Sequence, residues 1–196
     1  MNDLFSSPTL RIEQPRKILA KQAHYDIFGT GRTLVAVAEE TDVRTHGQVL
    51  KAALPVSPPP GAQILVVRDP EGEPVLVLHK HEGGRLTEVS GIDGTPVGRI
   101  RAQRTTRHYT LTDAQDQVLG EVAGDLALRR FTITGGHGLT LGKVTKKWAG
   151  LTKELLTTAD HYSVDISDTV QEPTRTLIVM TAIMLDLTLH ENISRG

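Results

Sequence analysis

The chain has 196 residues, 38% hydrophobic and 23% charged, which suits one globular domain or at most two small ones. Its formal net charge of −1 indicates no global attraction to nucleic acid or to a membrane. It contains no cysteine, which excludes a disulfide framework, thiolate zinc sites, a cysteine nucleophile and palmitoylation.

The first part of the chain predicts a short tail followed by strands. Residues 1–14 are expected to be a flexible N-terminal segment, and residues 15–196 a single domain. No continuous apolar stretch opens the chain, so a secretory signal is not expected. "RKILAKQ" fits one strand, and "HYDIFGTGRTLVAVAEE" fits a hairpin around Gly29 and Gly31. "THGQVLKAALPVSPPPG" then predicts a short helix and a stiff, exposed connector.

A repeat of 22 residues dominates the middle of the chain. Turn residues recur at this interval, at Asp69, Gly91, Asp113 and Gly135. Each lies between two stretches that alternate apolar and polar residues, which indicates β-hairpins with one buried face. Glycines of the second strands keep the same interval, at Gly98, Gly120 and Gly142. With "HYSVDI" as the last strand, the pattern predicts about twelve strands between about residues 15 and 170.

The stretch "RTLIVMTAIMLDLTLHE" predicts a helix over about residues 174–191 that is apolar on every face. Its apolar run is shorter than the about 20 residues that a bilayer requires, and Asp186 at a bilayer centre costs about 2.5–3.5 kcal/mol. A core helix is therefore favoured over an inserting one, and no transmembrane span is expected.

A long meander and one apolar helix can bury each other if the sheet closes around the helix. Closure removes the sheet edges, and about twelve strands leave a lumen that side chains alone do not fill. The predicted fold class is mainly β, a barrel of about twelve antiparallel strands closed around a hydrophobic C-terminal α-helix. A two-layer sandwich with the helix on one side is the alternative, but it leaves part of the helix in water.

Residues 142–166, "GKVTKKWAGLTKELLTTADHYSVDI", carry a resemblance to a known family. The matching features are Gly142-Lys143, Lys146 and Lys147 before Trp148, Gly150, Glu154, Ala159-Asp160, Tyr162 and Val164. They resemble the phospholipid scramblase-like family and the LURP-one-related proteins, whose own apolar helix ends the chain as this one does. The resemblance implies a Tubby-like fold, a twelve-stranded barrel around a C-terminal helix.

The family name implies lipid movement between membrane leaflets. The chain lacks the family's Pro-rich leader and its palmitoylated cysteines, so intrinsic scrambling is expected to be absent or to need a partner. The segment aligned with the family's calcium-responsive loop offers carboxylates at Asp160, Asp165 and Asp168, but Ser163 stands where a glycine is expected. A capped turn leading into a strand is favoured over calcium binding, and no other cofactor is expected.

Basic residues concentrate in residues 98–147, which hold nine Lys/Arg and four Asp/Glu. If they project outward together, guanidinium and ammonium groups form a patch suited to phosphate. The candidate anion-binding and lipid-binding residues are Arg99, Arg101, Arg104, Arg107, Arg129, Arg130, Lys143, Lys146, Lys147 and Trp148. An ordinary solvated face is the alternative. Nucleic acid is not expected, because three Tyr, three Phe and one Trp offer little stacking surface.

His79 and His81 in "LHKHE" share one face of a strand, with Glu82 and Glu88 close in sequence. Arg85 and Leu86 stand where a cupin-type site needs its glutamate, so two solvent-exposed histidines are favoured over a metal site. The chain shows neither a nucleophile elbow nor a phosphate loop, and we expect no enzyme.

The sequence therefore predicts a non-enzymatic, cytoplasmic domain, peripheral on the inner membrane surface, that binds anionic phospholipid headgroups or another anionic partner through a basic face. A protein-interaction or structural module that binds no lipid is the first alternative. A small barrel metalloprotein using His79 and His81 is the second.

Overall fold

The computed structural model describes residues 5–15, 22–41, 61–103, 107–147 and 161–194, which form twelve strands and one long helix. The strands are β1 (Thr9–Glu13), β2 (His24–Phe28), β3 (Leu34–Glu40), β4 (Gln63–Arg68), β5 (Pro74–Lys80), β6 (Leu86–Gly91), β7 (Pro96–Ala102), β8 (His108–Asp113), β9 (Val118–Gly124), β10 (Arg130–Thr134), β11 (Thr140–Lys147) and β12 (His161–Ile166), and the helix is α1 (Thr174–Ser194). Each strand pairs antiparallel with its neighbours in sequence, and β1 also pairs with β12, so the sheet is a closed barrel. The predicted fold class is confirmed.

The first strand of the barrel lies in the segment that was predicted to be a flexible tail. Thr9–Glu13 pair with β12 on one side and β2 on the other, and Leu10 and Ile12 are buried in the lumen. The predicted domain boundary at residue 15 is therefore wrong. Five alternating residues are a weak signal on their own, and this strand is stabilised by pairing along both edges. "RKILAKQ" and the Pro-rich connector lie almost wholly outside the described residues.

The 22-residue repeat produces hairpin turns of one geometry. In each turn the first N–H donates to the carbonyl four residues later, at distances between 2.8 and 3.0 Å. The bonds join Asp69 to Glu73, Gly91 to Thr95, Asp113 to Gln117, Gly135 to Leu139 and, outside the repeat, Gly29 to Thr33. The fourth residue of each turn has a positive φ, which glycine adopts at least cost, and Gly72, Gly94 and Gly138 supply it in three of the four repeats.

The helix α1 fills the lumen of the barrel. Every side chain from Arg175 to Thr188 is buried, and inward-facing side chains from all twelve strands belong to the same apolar core. A helix apolar on all sides needs a wall on all sides, and the closed sheet supplies it. The sandwich alternative is therefore wrong, and the core-helix prediction is confirmed.

Glycines of the repeat lie where the wall approaches the helix. A Cβ added at Gly98 would lie 2.8 Å from Leu177 Cδ1, and one added at Gly142 would lie 3.3 Å from Ile178 Cγ2. The first turns of α1 therefore pack against bare backbone of β7 and β11. Two of the three glycines in the second period thus lie where the wall approaches the helix, whereas Gly120 lies close to Thr134 O and Leu141.

Candidate anion-binding surface

The two ends of the barrel differ in charge. The hairpin turns lie at the end where α1 begins, and we call it the turn end; it consists of Gly29–Thr33, Asp69–Glu73, Gly91–Thr95, Asp113–Gln117 and Gly135–Leu139. Several carboxylates lie in or beside these turns, namely Asp69, Glu71, Glu73, Asp93, Asp113 and Asp116. The repeated turn chemistry therefore makes this end acidic. Asp113 shows why the sequence selects these acids, since its Oδ1 accepts the N–H groups of Gln115 and Gln117 at 2.9 Å each.

Basic side chains lie at the opposite end of the same wall, beside the second half of α1. We call this the basic end, formed by Arg101, Arg107, Arg129, Arg130 and Lys147. Arg101 is next to the last residue of β7, Arg107 precedes β8, Arg129 precedes β10, Arg130 begins β10, and Lys147 ends β11. Backbone hydrogen bonds set the positions of these residues along the barrel axis. Gly124 N–H donates to Arg107 O, and Lys146 N–H donates to Arg129 O. With about 4.8 Å between strands, the basic end is on the order of 20 Å wide.

Three of the five basic side chains at the basic end have no ion pair with a described residue. Among the described residues, Arg101, Arg107 and Lys147 form no ion pair. Arg130 lies near Asp125, whose pKa is lowered first by the backbone N–H of Arg129 and further by the Arg130 charge. Arg101, Arg107 and Lys147 thus present guanidinium and ammonium groups that can accept an anion without first breaking an ion pair to a described residue.

Other basic candidates lie elsewhere. Arg99 is on the outer face of β7, where it contacts Glu88 and Asp116, and these two hydrogen-bonded carboxylates raise its pKa. Lys143 is exposed in the middle of β11, directly opposite Asp165 of β12. The structure therefore separates these two residues from the basic end. Arg104 and Trp148 lie outside the described residues.

Lys146 faces the lumen, so its predicted place in an outward patch is wrong. The two-residue period of β11 points Val144 and Lys146 inward and Lys147 outward. Lys146 Nζ lies 3.7 Å from Asp186 Oδ1 and 5.5 Å from the ring centroid of Tyr162. Two adjacent lysines in the sequence thus have different surroundings, one inside the barrel and one on its surface.

Asp186 is the centre of a polar cluster that the sequence did not reveal. Tyr25 OH donates to Asp186 Oδ2 at 2.9 Å and Tyr162 OH donates to Oδ1 at 2.8 Å. Burial raises the pKa of Tyr25 well above its usual value, and the Asp186 charge raises it further. The Tyr25 hydroxyl therefore stays protonated and donates to a buried carboxylate. The one acid within the apolar run from Leu177 to Leu189 was the available signal, but the strand pairing that brings its partners together was not predictable.

The predicted calcium ligands are placed separately. Residues 161–166 form the extended strand β12, in which Asp165 points outward and accepts a hydrogen bond from Thr9 Oγ1 at 3.1 Å. Asp168 is exposed beyond the end of that strand, and Asp160 lies outside the described residues. No cluster of three metal-binding side chains within the described ranges includes Asp165 or Asp168. Calcium binding by Asp160, Asp165 and Asp168 stays the less favoured alternative to a capped turn, and no observation tests it.

His79 and His81 do lie on one outward face, but His79 is not in water. Its side chain is only 16% exposed, so the prediction of two solvent-exposed histidines is wrong for this residue. Burial lowers the pKa of His79, and the neighbouring His81 lowers it further. Burial alone raises the pKa of Glu88, but hydrogen bonds from His81 and Arg99 outweigh it, so the net shift is downward. The histidines therefore adjoin a carboxylate that stays ionised.

Comparisons with known proteins agree with this architecture. The family model described as Scramblase matches residues 63–192. The X-ray structure of a protein from Arabidopsis thaliana superposes with a TM-score of 0.54 at 12% identity, over 93% of this chain and 94% of that chain. At this identity the likeness shows the fold alone, which is Tubby-like. No curated protein sequence matches the chain.

The described helix does not meet the requirements of a membrane span: within the described residues, no helix is both long and apolar enough to cross a bilayer.

Scramblase-type and Tubby-like domains are generally non-enzymatic. The match covers about two thirds of the chain, and the closed barrel around a C-terminal helix agrees with it. The chain therefore belongs to the Scramblase family.

Proposed function

We propose that this protein is a non-enzymatic module that binds anionic phospholipid headgroups peripherally, at the inner membrane surface, through its basic end. One observation carries the proposal. Basic side chains in or beside β7, β8, β10 and β11 gather at one end of the barrel wall, three of them without an ion pair to any described residue, while the opposite end is acidic.

The expected binding is weak and depends on salt. Each basic residue near an anionic membrane contributes about 1 kcal/mol, so the five residues of the basic end contribute about 5 kcal/mol at most. That free energy corresponds to a dissociation constant of roughly 0.2 mM. Exposed charges are screened over about 8 Å at physiological ionic strength, so added salt weakens the attraction.

The opposite charge of the two ends gives the barrel a preferred orientation. An anionic surface attracts the basic end and repels the carboxylates of the turn end, so the axis of α1 points its second half at the membrane. Trp148 follows Lys147 in the sequence, and tryptophan is a residue that favours the headgroup region. The arrangement supports docking on a surface through one end of the barrel.

Flotation with lipid vesicles tests the proposal. The full chain is expected to float with vesicles that contain phosphatidylserine and not with phosphatidylcholine alone, and to dissociate as salt is raised. The double variant Arg101→Gln/Arg130→Gln loses two charges of the basic end. Its binding is expected to weaken roughly 30-fold, corresponding to about 2 kcal/mol.

A matched control removes the same charge from the turn end. In the Arg32→Gln/Arg68→Gln double variant, binding to the anionic vesicles is expected to change less than about threefold, because these residues lie far from the docked surface. Equal binding to neutral and anionic vesicles, or equal losses in the two double variants, contradicts the proposal. No binding to either vesicle favours the protein-interaction module.

A further inference from the structure

A second polar site lies on the outer wall, at a place that lipid docking does not use. His79 is directly opposite Glu88 in the β5–β6 pairing, and the N–H of His81 donates to Leu86 O at 2.9 Å. Both imidazole rings therefore project from the same face of a rigid ladder. Their centroids are 4.2 Å apart, and the ring planes are tilted by 31°.

The ligand atoms of these three side chains are already close together. His81 Nε2 lies 2.9 Å from Glu88 Oε2, and His79 Nδ1 lies 3.9 Å from the same oxygen. One ligand atom from each of the three residues lies within 4.8 Å of the others. Tetrahedral zinc, with bonds of about 2.0–2.2 Å, holds its ligand atoms about 3.3 Å apart. The two measured separations bracket that value, so small side-chain rotations suffice.

One ring nitrogen of His79 forms no hydrogen bond with a described residue. His79 Nε2 is buried and has no hydrogen-bond partner among the described residues. An imidazole nitrogen without a partner is costly in an apolar or half-buried place, and a metal ion is one group that satisfies such a nitrogen. A flip of the His79 ring moves each nitrogen to the position of a ring carbon, so the nitrogen directed at Glu88 depends on the ring orientation.

The surroundings of the carboxylate fit a cation as well. Arg99 Nε donates to Glu88 Oε1 at 3.3 Å, which fixes the plane of the carboxylate. Oε2 shares a hydrogen bond of 2.9 Å with His81 Nε2, and a bound metal would replace the proton between these two atoms. Asp116 contacts the same arginine. Two carboxylates and one guanidinium carry a charge of about −1 beside two imidazoles, so a divalent cation meets no net repulsion.

We propose that His79, His81 and Glu88 bind a divalent transition metal of the zinc class, with Arg99 as the residue that positions Glu88. Two nitrogens and one oxygen suit zinc better than calcium, which prefers oxygen ligands. His81 and Glu88 are 33% and 40% exposed, so solvent reaches the site and supplies the fourth ligand. The site shares no residue with the basic end, although Arg101 lies only two residues from Arg99 on the same face of β7. Metal binding is therefore measured on the protein without vesicles.

Calorimetric titration of the tag-free full chain with zinc chloride, after removal of metal by a chelator, tests this site. We expect one ion per chain. Removing a residue that only hydrogen-bonds to a metal ligand weakens metal affinity about 10–100-fold. His81→Ala and Glu88→Gln remove the ligands themselves, so each is expected to weaken zinc binding at least tenfold. His108→Ala removes an exposed histidine of the same barrel and is expected to leave zinc affinity unchanged.

A thermal-unfolding series separates a lost site from a lost fold. Zinc is expected to raise the unfolding midpoint of the wild-type chain and of His108→Ala, and to leave that of Glu88→Gln unchanged. The metal-free midpoints of all variants report whether they fold. Absence of stoichiometric zinc binding by the folded wild-type chain overturns the proposal. Unchanged zinc affinity in folded His81→Ala and Glu88→Gln overturns it equally.

Discussion

Replacing Asp186 by Ala is expected to lower the free energy of unfolding by about 3–5 kcal/mol. The substitution removes the acceptor for the Tyr25 and Tyr162 hydroxyls and the carboxylate that lies 3.7 Å from Lys146 Nζ. Tyr25 is 1% and Tyr162 is 2% exposed, so water cannot replace the lost hydrogen bonds without opening the lumen. Urea unfolding followed by circular dichroism measures the change.

Two further variants define the cause of this destabilisation. Asp165→Ala removes an exposed acid of β12 and is expected to cost less than about 1 kcal/mol. Tyr25→Phe removes one hydrogen-bond donor and leaves the Asp186 carboxylate with Tyr162 and Lys146. We therefore expect it to lower the free energy of unfolding by about 1 kcal/mol. If Asp186→Ala costs no more than Asp165→Ala, then the buried cluster does not hold α1 in the barrel.

Gly98→Ala is the second substitution with a large expected effect. We expect it to lower the free energy of unfolding by about 3 kcal/mol. The added Cβ would lie 2.3 Å from the carbonyl oxygen of Thr112 and 2.8 Å from Leu177 Cδ1. The leucine side chain can rotate, but the carbonyl belongs to the backbone of β8, which pairs with β7. Relief therefore requires β7 to move away from β8 or from the helix.

Thermal unfolding gives the simplest measurement for this glycine. A loss of about 3 kcal/mol corresponds to a fall of about 6–12 °C in the midpoint for a chain of this size. Gly136→Ala is the matched control, because a Cβ there meets nothing within 4 Å, and the midpoint is expected to stay within about 2 °C of wild type. Similar midpoints for the two alanine variants would show that the wall is not packed tightly against α1 at Gly98.

Much of the fold could be predicted from local patterns. The two-residue alternation and the 22-residue turn period define consecutive hairpins, and a helix apolar on every face requires an enclosing wall. These patterns depend only on residues that are close in the sequence. The closed barrel with a helix in its lumen can therefore be predicted from them. The same patterns placed the turns at Asp69, Gly91, Asp113 and Gly135, where the structure has them.

Strand pairing, which is not local, decided the rest. Thr9–Glu13 is a weak strand signal until β12, at the other end of the chain, pairs with it. The basic residues of 98–147 look like one patch in the sequence, but their position along each strand divides them between the basic end, the middle of the wall and the lumen.

The sequence by itself determined the class of fold, the number of hairpins and the burial of the final helix, because periodicity and hydrophobicity act within one segment. Only the tertiary structure decided that Lys146 points inward to Asp186 and that His79 faces Glu88. A side chain's partners depend on strand register and on barrel closure, and both are fixed by contacts between segments far apart in the chain.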